Sequence, residues 1–318
     1  MSGVSFFDVF SGIGGFRLGL ERLGWRCYGH CEIDGARREV YRRNFQTAVQ
    51  EDNYDIAELD YLEGADVLVG GFPCQSFSMA GKRRGFSDAR GQLFLHLPRL
   101  LSLCRPKAFL FENVKGLRMT PSAMVEVVSS LKRTGYAFDW AVLDSSMFGP
   151  PQKRERLYFV GFRDGIPKGF VFPKGERNGS AVIDVMEAQV EARYYAPAVI
   201  VRSTEFLLPP FWRQRARAIV SIGRHSPKEY GGWGLVLSPF GLSPTLVPGL
   251  DQRGQPLYLI EDGTTLRRLT PREWARLQAF PDSFRLPEDD ARAYRYLGDS
   301  VTTTVIEAIG VEMEKWLA

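Results

Sequence analysis

The feature that most constrains this chain is a short run, Asp66-Val67-Leu68-Val69, closed by Gly70-Gly71-Phe72-Pro73-Cys74. Apolar residues without alternation, in a stretch too short for a buried helix, read as a strand covered on both faces, the pattern of a parallel sheet. A Gly-Gly pair allows close backbone approach, and Phe-Pro stiffens the turn that follows. Cys74 is thereby presented just past the carboxyl end of a strand, where open α/β sheets bind their ligands. A lone cysteine there also fits a buried structural residue, because free Cys is among the most buried residue types.

The start of the chain repeats the pattern. Ser5 to Phe10 is an apolar run, Gly12-Ile13-Gly14-Gly15 follows, and Phe16, Leu18, Leu20 and Leu23 then recur at helical spacing before Gly24. Strand, Gly-rich turn and helix open a nucleotide-binding α/β unit, although the glycine spacing is not that of the dinucleotide fingerprint. A second strand, Arg26 to Ile33, delivers Glu32-Ile33-Asp34 about 20 positions beyond the glycines, where an acidic residue binds ribose hydroxyls. For Asp34, a helix cap before Ala36 to Asn44 is an equal alternative. Asp55-Ile56 lies in a looser polar stretch and suits either an adenine contact or a solvated turn.

After Cys74, the basic stretch Gly81-Lys82-Arg83-Arg84-Gly85 lacks hydrophobic periodicity and reads as a loop able to close over a phosphate backbone or simply be solvated. A helix carrying Leu93, Phe94, Leu97, Leu100 and Leu101 leads to the buried strand Ala108 to Phe111, which ends in Glu112-Asn113. If that strand neighbours the first, its carboxylate comes close to Cys74. A helix near Met124 to Lys132 and an alternating strand near Tyr136 to Leu143 follow. Beyond Pro150-Pro151, Gln152, Arg154 and Arg156 fall at period-2 spacing into the strand Leu157 to Gly161. They share one face there, either an exposed edge or a set of groups aimed at the cleft holding Glu112.

From about Gly165 the periodicity weakens and Pro and Gly become frequent, which predicts a smaller irregular domain. It includes the basic cluster Arg213 to Arg217 and the turn-like Ser243-Pro244-Thr245-Leu246. Thr270, Pro271 and Glu273 then spell an N-cap, a first-turn proline and a capping box. Composition sets only broad limits: 318 residues, 25% charged, net charge +4, four cysteines and no long apolar span. These predict a cytoplasmic protein without signal peptide, membrane segment, disulfide framework or metal centre, and permit a nucleic-acid partner.

Taken together, these motifs resemble the cytosine-C5 DNA methyltransferases of the bacterial restriction–modification type, in the family's order and over nearly the whole chain. Asp8-Val9-Phe10-Ser11-Gly12-Ile13-Gly14-Gly15-Phe16 is similar to the first cofactor motif, Gly71-Phe72-Pro73-Cys74-Gln75 to the nucleophile motif, and Arg90-Gly91-Gln92-Leu93-Phe94 to the motif after the basic loop. Phe111-Glu112-Asn113-Val114 and Gln152-Lys153-Arg154-Glu155-Arg156 resemble the base-binding motifs, and Arg268-Leu269-Thr270 through Pro281 the late scaffold motif. One departure is Asp299 in Gly298-Asp299-Ser300-Val301, where the family usually has Asn; a carboxylate cannot donate the amide's hydrogen bonds.

The resemblance implies a Rossmann-like class I methyltransferase α/β sheet with helices on both faces, formed by 1–170 and 286–318, and a target-recognition domain at 171–285. It implies S-adenosyl-L-methionine held by Phe10, Gly12, Gly14, Gly15, Glu32, Ile33, Asp34, Asp55, Ile56, Pro73, Leu93, Ser300 and Val301. Catalysis falls to Cys74, Glu112 and Arg156 with Arg154 in support. Double-stranded DNA is the partner, contacted by Ser76, Lys82, Arg83, Arg84, Gln152, Arg215 and Thr245. A monomer paired genetically with a restriction endonuclease is expected. The alternatives are a transfer-RNA methyltransferase on the same scaffold, whose Cys-Phe-Thr signature has no counterpart because no Cys follows Cys104, and a non-catalytic DNA-binding relative. A nicotinamide oxidoreductase leaves the Cys/Glu/Arg set unexplained.

Overall fold

A computed structural model describes residues 3–45, 54–60, 64–72, 93–195, 220–221, 235–247, 258–263 and 265–317. The chain divides into two compact units, the first made of 1–144, 155–175 and 303–318 and the second of 145–154 and 176–302. By this division 145–154 and 286–302 lie with the second unit and 171–175 with the first.

The first unit is built on a six-stranded sheet in the order β2-β1-β3-β4-β6-β5. Its strands are β1 (Ser5–Val9), β2 (Arg26–Cys31), β3 (Val67–Gly71), β4 (Ala108–Val114), β5 (Ala137–Asp144) and β6 (Glu155–Phe162). The runs read as buried strands are so: Val67, Leu68, Val69 and Ala108 to Phe111 are all 0% exposed. β1, β2, β3 and β4 pair in parallel, whereas β6 runs antiparallel to both β4 and β5. Chain order reverses beside β1, so the carboxyl ends of β1 and β3 flank a topological switch point, the usual ligand crevice of an open α/β sheet.

Helices α1 (Gly15–Glu21), α2 (Gly35–Asn44), α3 (His96–Cys104), α4 (Pro121–Arg133) and, from the end of the chain, α7 (Thr303–Glu314) belong to this unit. Val9, Leu68, Phe109 and Phe111 of the sheet form one core cluster with Leu97, Leu100 and Leu101 of α3 and Val127 and Leu131 of α4. Outside that cluster α1 packs on α7, and Gly19 makes this possible: a Cβ there would lie 2.5 Å from the Thr303 carbonyl oxygen.

The second unit carries a sheet in the order β10-β9-β8-β7: β7 (Val220–Ser221), β8 (Leu235–Leu237), β9 (Tyr258–Asp262) and β10 (Thr265–Arg267). Helix α5 (Pro271–Leu277) begins with the capping box read from sequence, Thr270 accepting from the Glu273 amide and Glu273 from the Thr270 amide. Helix α6 (Asp290–Asp299) follows. This unit also buries an ion pair: Arg267 and Glu273, both 0% exposed, meet through two hydrogen bonds of 2.7 and 2.8 Å. No helix among the described residues is long and apolar enough to cross a membrane.

Candidate active site

The glycine turn after β1 is fixed by backbone geometry. Phe10 (φ 55°), Gly12 (φ 56°) and Gly14 (φ 92°) are left-handed, a conformation that is strained for Phe and free for Gly. At Gly14 a Cβ would also stand 2.2 Å from the Phe45 ring. The turn is tied down by the Ser11 amide donating to the Cys31 carbonyl (3.0 Å) and by the Ser11 hydroxyl on His30 Nδ1 (3.1 Å).

Glu32 stands at the end of β2 and is nearly buried. Its carboxylate accepts from the Gly12 amide (3.0 Å) and the Asp34 amide (2.8 Å), so it braces the turn. A carboxylate has about four acceptor positions, which leaves room for ribose hydroxyls. Asp34 caps α2, accepting from the Ala36 and Arg37 amides through Oδ1. Ile33 is 71% exposed, an open apolar surface next to Glu32.

In the Asp55-Ile56 pair, Ile56 is 4% exposed and belongs to the core cluster, so its side chain packs rather than presents itself. Asp55 accepts from the Ala57 amide at 2.9 Å. The turn is held by Arg99 of α3, which donates to the Ile56 and Leu59 carbonyls at 2.7 and 2.8 Å. No local sequence signal pointed to Arg99, since its partners lie about 40 residues away. Leu93 opens a single 3-10 turn, partly buried against the core beside Phe94, whose ring lies 4.9 Å from that of Phe72.

Behind the glycine turn, both carboxylate oxygens of Asp8 are buried without a hydrogen-bond partner. Burial pushes its pKa well above 3.8, opposed by the Arg17 charge and reinforced by Glu32. An orphaned acid, an exposed apolar side chain and a braced second acid around left-handed glycines form a donor set that fits S-adenosyl-L-methionine, a ligand with cationic, aromatic and diol parts.

The chemistry gathers at the ends of β3 and β4. These strands are neighbours, and Gly71 pairs with Glu112 in the register. Because β6 is antiparallel, its first residues lie beside the last of β4, and Val114 pairs with Arg156. Arg156 Nε therefore reaches Glu112 Oε1 at 3.1 Å, with both side chains about nine-tenths buried. Asn113, 1% exposed, donates from Nδ2 to the Phe72 carbonyl at 3.1 Å and ties the end of β4 to the segment leading to Cys74. Asn113 is a positioning residue that the sequence reading quoted only as part of a motif. Cys74 itself, with Pro73, Ser76, Lys82, Arg83, Arg84 and Arg215, lies outside the described residues.

The expectation that Gln152, Arg154 and Arg156 share one strand face is corrected. The strand starts at Glu155, and 150–154 instead pairs with Ser243: the Lys153 amide donates to the Ser243 carbonyl and the Ser243 amide to the Pro151 carbonyl, each at 2.8 Å. Gln152, expected on DNA, is 0% exposed; its amide oxygen accepts from the Leu246 amide and its nitrogen donates to the Leu277 carbonyl. Arg154, expected to support catalysis, is 2% exposed and donates to the Leu246, Gly298 and Ser300 carbonyls. The Thr245 hydroxyl donates to the Lys153 carbonyl at 2.9 Å. Ser300 caps α6, Val301 is 5% exposed, and both lie in the second unit with Gln152, Arg154 and Thr245.

The family description "C-5 cytosine-specific DNA methylase" matches residues 4–315, and the chain belongs to that family. It is a DNA (cytosine-5-)-methyltransferase using S-adenosyl-L-methionine. Among its relatives, the type II methyltransferase M.DsaV of Dactylococcopsis salina is 34% identical, over 99% of this chain and 87% of the relative. The type II methyltransferase M.NlaX of Neisseria lactamica is 35% identical, over 98% and 96%. The fold is shared with the Entamoeba histolytica methyltransferase EhMeth, at a TM-score of 0.76 and 18% identity over the full length of both chains.

Proposed function

We propose that this enzyme methylates C5 of cytosine within a specific sequence of double-stranded DNA, by covalent catalysis from Cys74 on a flipped-out base. The observation that carries the reading is the Glu112–Arg156 pair at 3.1 Å, set beside Gly71 three residues before Cys74.

Cytosine C5 is a weak nucleophile. When the Cys74 thiolate adds to C6, a sulfur–carbon bond forms, the C5–C6 π electrons become available at C5, and negative charge spreads to N3 and O2. Donors must already be in place for that charge. Glu112, as the neutral acid, donates a proton to N3 and accepts from the exocyclic amine; Arg156 donates to O2. S-Adenosyl-L-methionine, when bound, would supply an electrophilic methyl group to C5, the electrons of the broken sulfur–carbon bond staying on sulfur as the neutral thioether leaves. A base then removes the C5 proton, the electron pair left behind expels the Cys74 thiolate, and N3 returns its proton to Glu112, restoring the aromatic ring and the enzyme. Cysteine suits the role because a thiol of pKa about 8.5 is already a few per cent thiolate at pH 7 and strongly nucleophilic.

The C6 position is closed in a stacked duplex, so the base must leave the helix at a cost of a few kcal/mol. The basic stretch 81–85 would close on the opened strand, and the second unit would read the flanking sequence. The relatives' designation as type II methyltransferases supports a pairing with a restriction endonuclease that cuts the same sequence.

Expression in a methylation-free host followed by bisulfite sequencing tests the whole reading. Methylcytosine confined to one short motif is expected, and its absence from every context would refute it. The nucleophile is tested by Cys74→Ser: methyl transfer should be lost while duplex binding survives, and retention of most activity would remove Cys74 from the mechanism.

A further inference from the structure

Gln152 and Arg154 raise a question that the chemistry above leaves unanswered. Both are large polar side chains, both are buried, and neither takes part in the Glu112–Arg156 pair. Their hydrogen bonds run along one seam of the second unit. Arg154 Nη1 donates to the Leu246 carbonyl at 2.8 Å, and Nη2 to the Gly298 and Ser300 carbonyls at 3.0 and 2.6 Å. Gln152 reads the other side of the same peptide segment, accepting from the Leu246 amide at 3.0 Å. Its nitrogen reaches the Leu277 carbonyl and Gln278 Oε1. Gln278 passes the contact on, donating to the Leu297 and Ser300 carbonyls and accepting from Thr302 Oγ1 at 2.6 Å. Three stretches far apart in sequence, 243–246, 277–278 and 297–302, are thus held at one spacing by two side chains. The first of them carries Thr245, the residue the family resemblance places on DNA.

We propose that Arg154, assisted by Gln152, is a positioning residue for DNA engagement: it fixes the Ser243–Leu246 segment against the Gly298–Ser300 turn, and it does not touch the reacting base. The argument is one of geometry. A planar guanidinium offers donors in a rigid fork, so three carbonyls it serves together cannot move independently. Lysine can keep the charge but only as a point donor on a flexible stem. Removing the fork leaves buried carbonyls short of partners, and the two segments drift apart by the slack of the weaker contact.

The proposal rests on the DNA methyltransferase reading, and steady-state kinetics separate the two. An inactive wild-type enzyme would refute that reading, whereas an active wild-type enzyme with indifferent variants refutes only the present inference. Arg154→Lys should raise KM for a duplex carrying the recognition sequence about tenfold while kcat at saturating DNA falls by less than threefold. Arg156→Lys should show the opposite split, a large loss in kcat with KM nearly unchanged. Gln152→Glu, which removes the donor to the Leu277 carbonyl, should follow Arg154→Lys in direction. If Arg154→Lys lowers kcat more than thirtyfold at an unchanged KM, Arg154 acts at the base and the proposal is wrong. Thr302→Val, which deletes a hydroxyl at the edge of the same seam, should raise KM for DNA about threefold. If the Arg154 variant does not fold, Thr302→Val decides alone, and an unchanged KM there overturns the inference.

Discussion

Two adjacent glycines at the end of β3 should respond to the same substitution in opposite ways. A Cβ on Gly70 would sit 2.3 Å from the Val9 carbonyl oxygen and 2.8 Å from Val9 Cγ2. Val9 is the register partner of Gly70 on β1, so the added methyl meets the backbone of a paired strand, which cannot swing aside as a side chain can. An ordinary carbon–oxygen contact needs almost 1 Å more, and β1 and β3 can separate by that much only by stretching their ladder. Overpacking of this kind costs about 1–3 kcal/mol or more. At roughly 2–4 °C per kcal/mol for domains of this size, Gly70→Ala should melt about 2–12 °C below wild type. On Gly71 the Cβ would instead stand 3.1 Å from Glu112 Oε2, the end of a side chain, and only a few tenths of an ångström of movement relieves it. The fold should tolerate that, with melting within about 2 °C. Catalysis should not, because Glu112 is held at 3.1 Å by Arg156 and misplacement by 1 Å is worth about a hundredfold in rate. A displacement of tenths predicts a fall of about three- to tenfold in kcat, or about 0.7–1.4 kcal/mol of activation free energy. Differential scanning calorimetry and methyl transfer per folded molecule measure the two effects separately. Gly71→Ala melting as low as Gly70→Ala, with wild-type kcat per folded molecule, would refute the reasoning.

Asp8 predicts a pH dependence with a definite sign. Its folded pKa is raised well above 3.8 by burial, so between the two values the native state holds a proton that the unfolded state has released, and stability falls as pH rises through that window. Asp8→Asn removes the slope: in calorimetry at pH 8 it should melt above wild type, with the gap closing at pH 4, and a gap independent of pH would refute the assignment. Glu273→Ala strips the partner from Arg267, itself 0% exposed and bonded also to Asp262 at 2.6 Å. Leaving a buried guanidinium half-paired costs about 3–5 kcal/mol, visible as a lowered urea midpoint; an unchanged midpoint would mean the pair adds nothing net.

Much of the active side was legible because it depends on local pattern. Apolar runs became β1, β3 and β4, and a polar residue directly after such a run had to stand near a strand end, which located Glu112. The capping box at Thr270 was readable for the same reason, its partners being three residues apart. Asp34 shows the limit of that logic, since a helix cap and a ribose ligand leave the same local signature; the hydrogen bonds from the Ala36 and Arg37 amides establish the cap.

What the sequence by itself determined, then, is the parallel half of the sheet, the family and the cluster of reactive residue types. Tertiary structure decided three further matters. It reversed β6, which brings Arg156 to Glu112; a parallel strand would have carried that arginine to the far edge. It turned Gln152 and Arg154 inward by pairing 150–154 with Ser243, a partner about ninety residues away. And it gave the two glycines separate neighbours, the Val9 backbone for Gly70 and the Glu112 carboxylate for Gly71. The physical reason is common to all three: strand direction, side-chain facing and the room at a Cβ are set by neighbours in space, and period-2 or helical spacing along the chain carries no information about which neighbours those are.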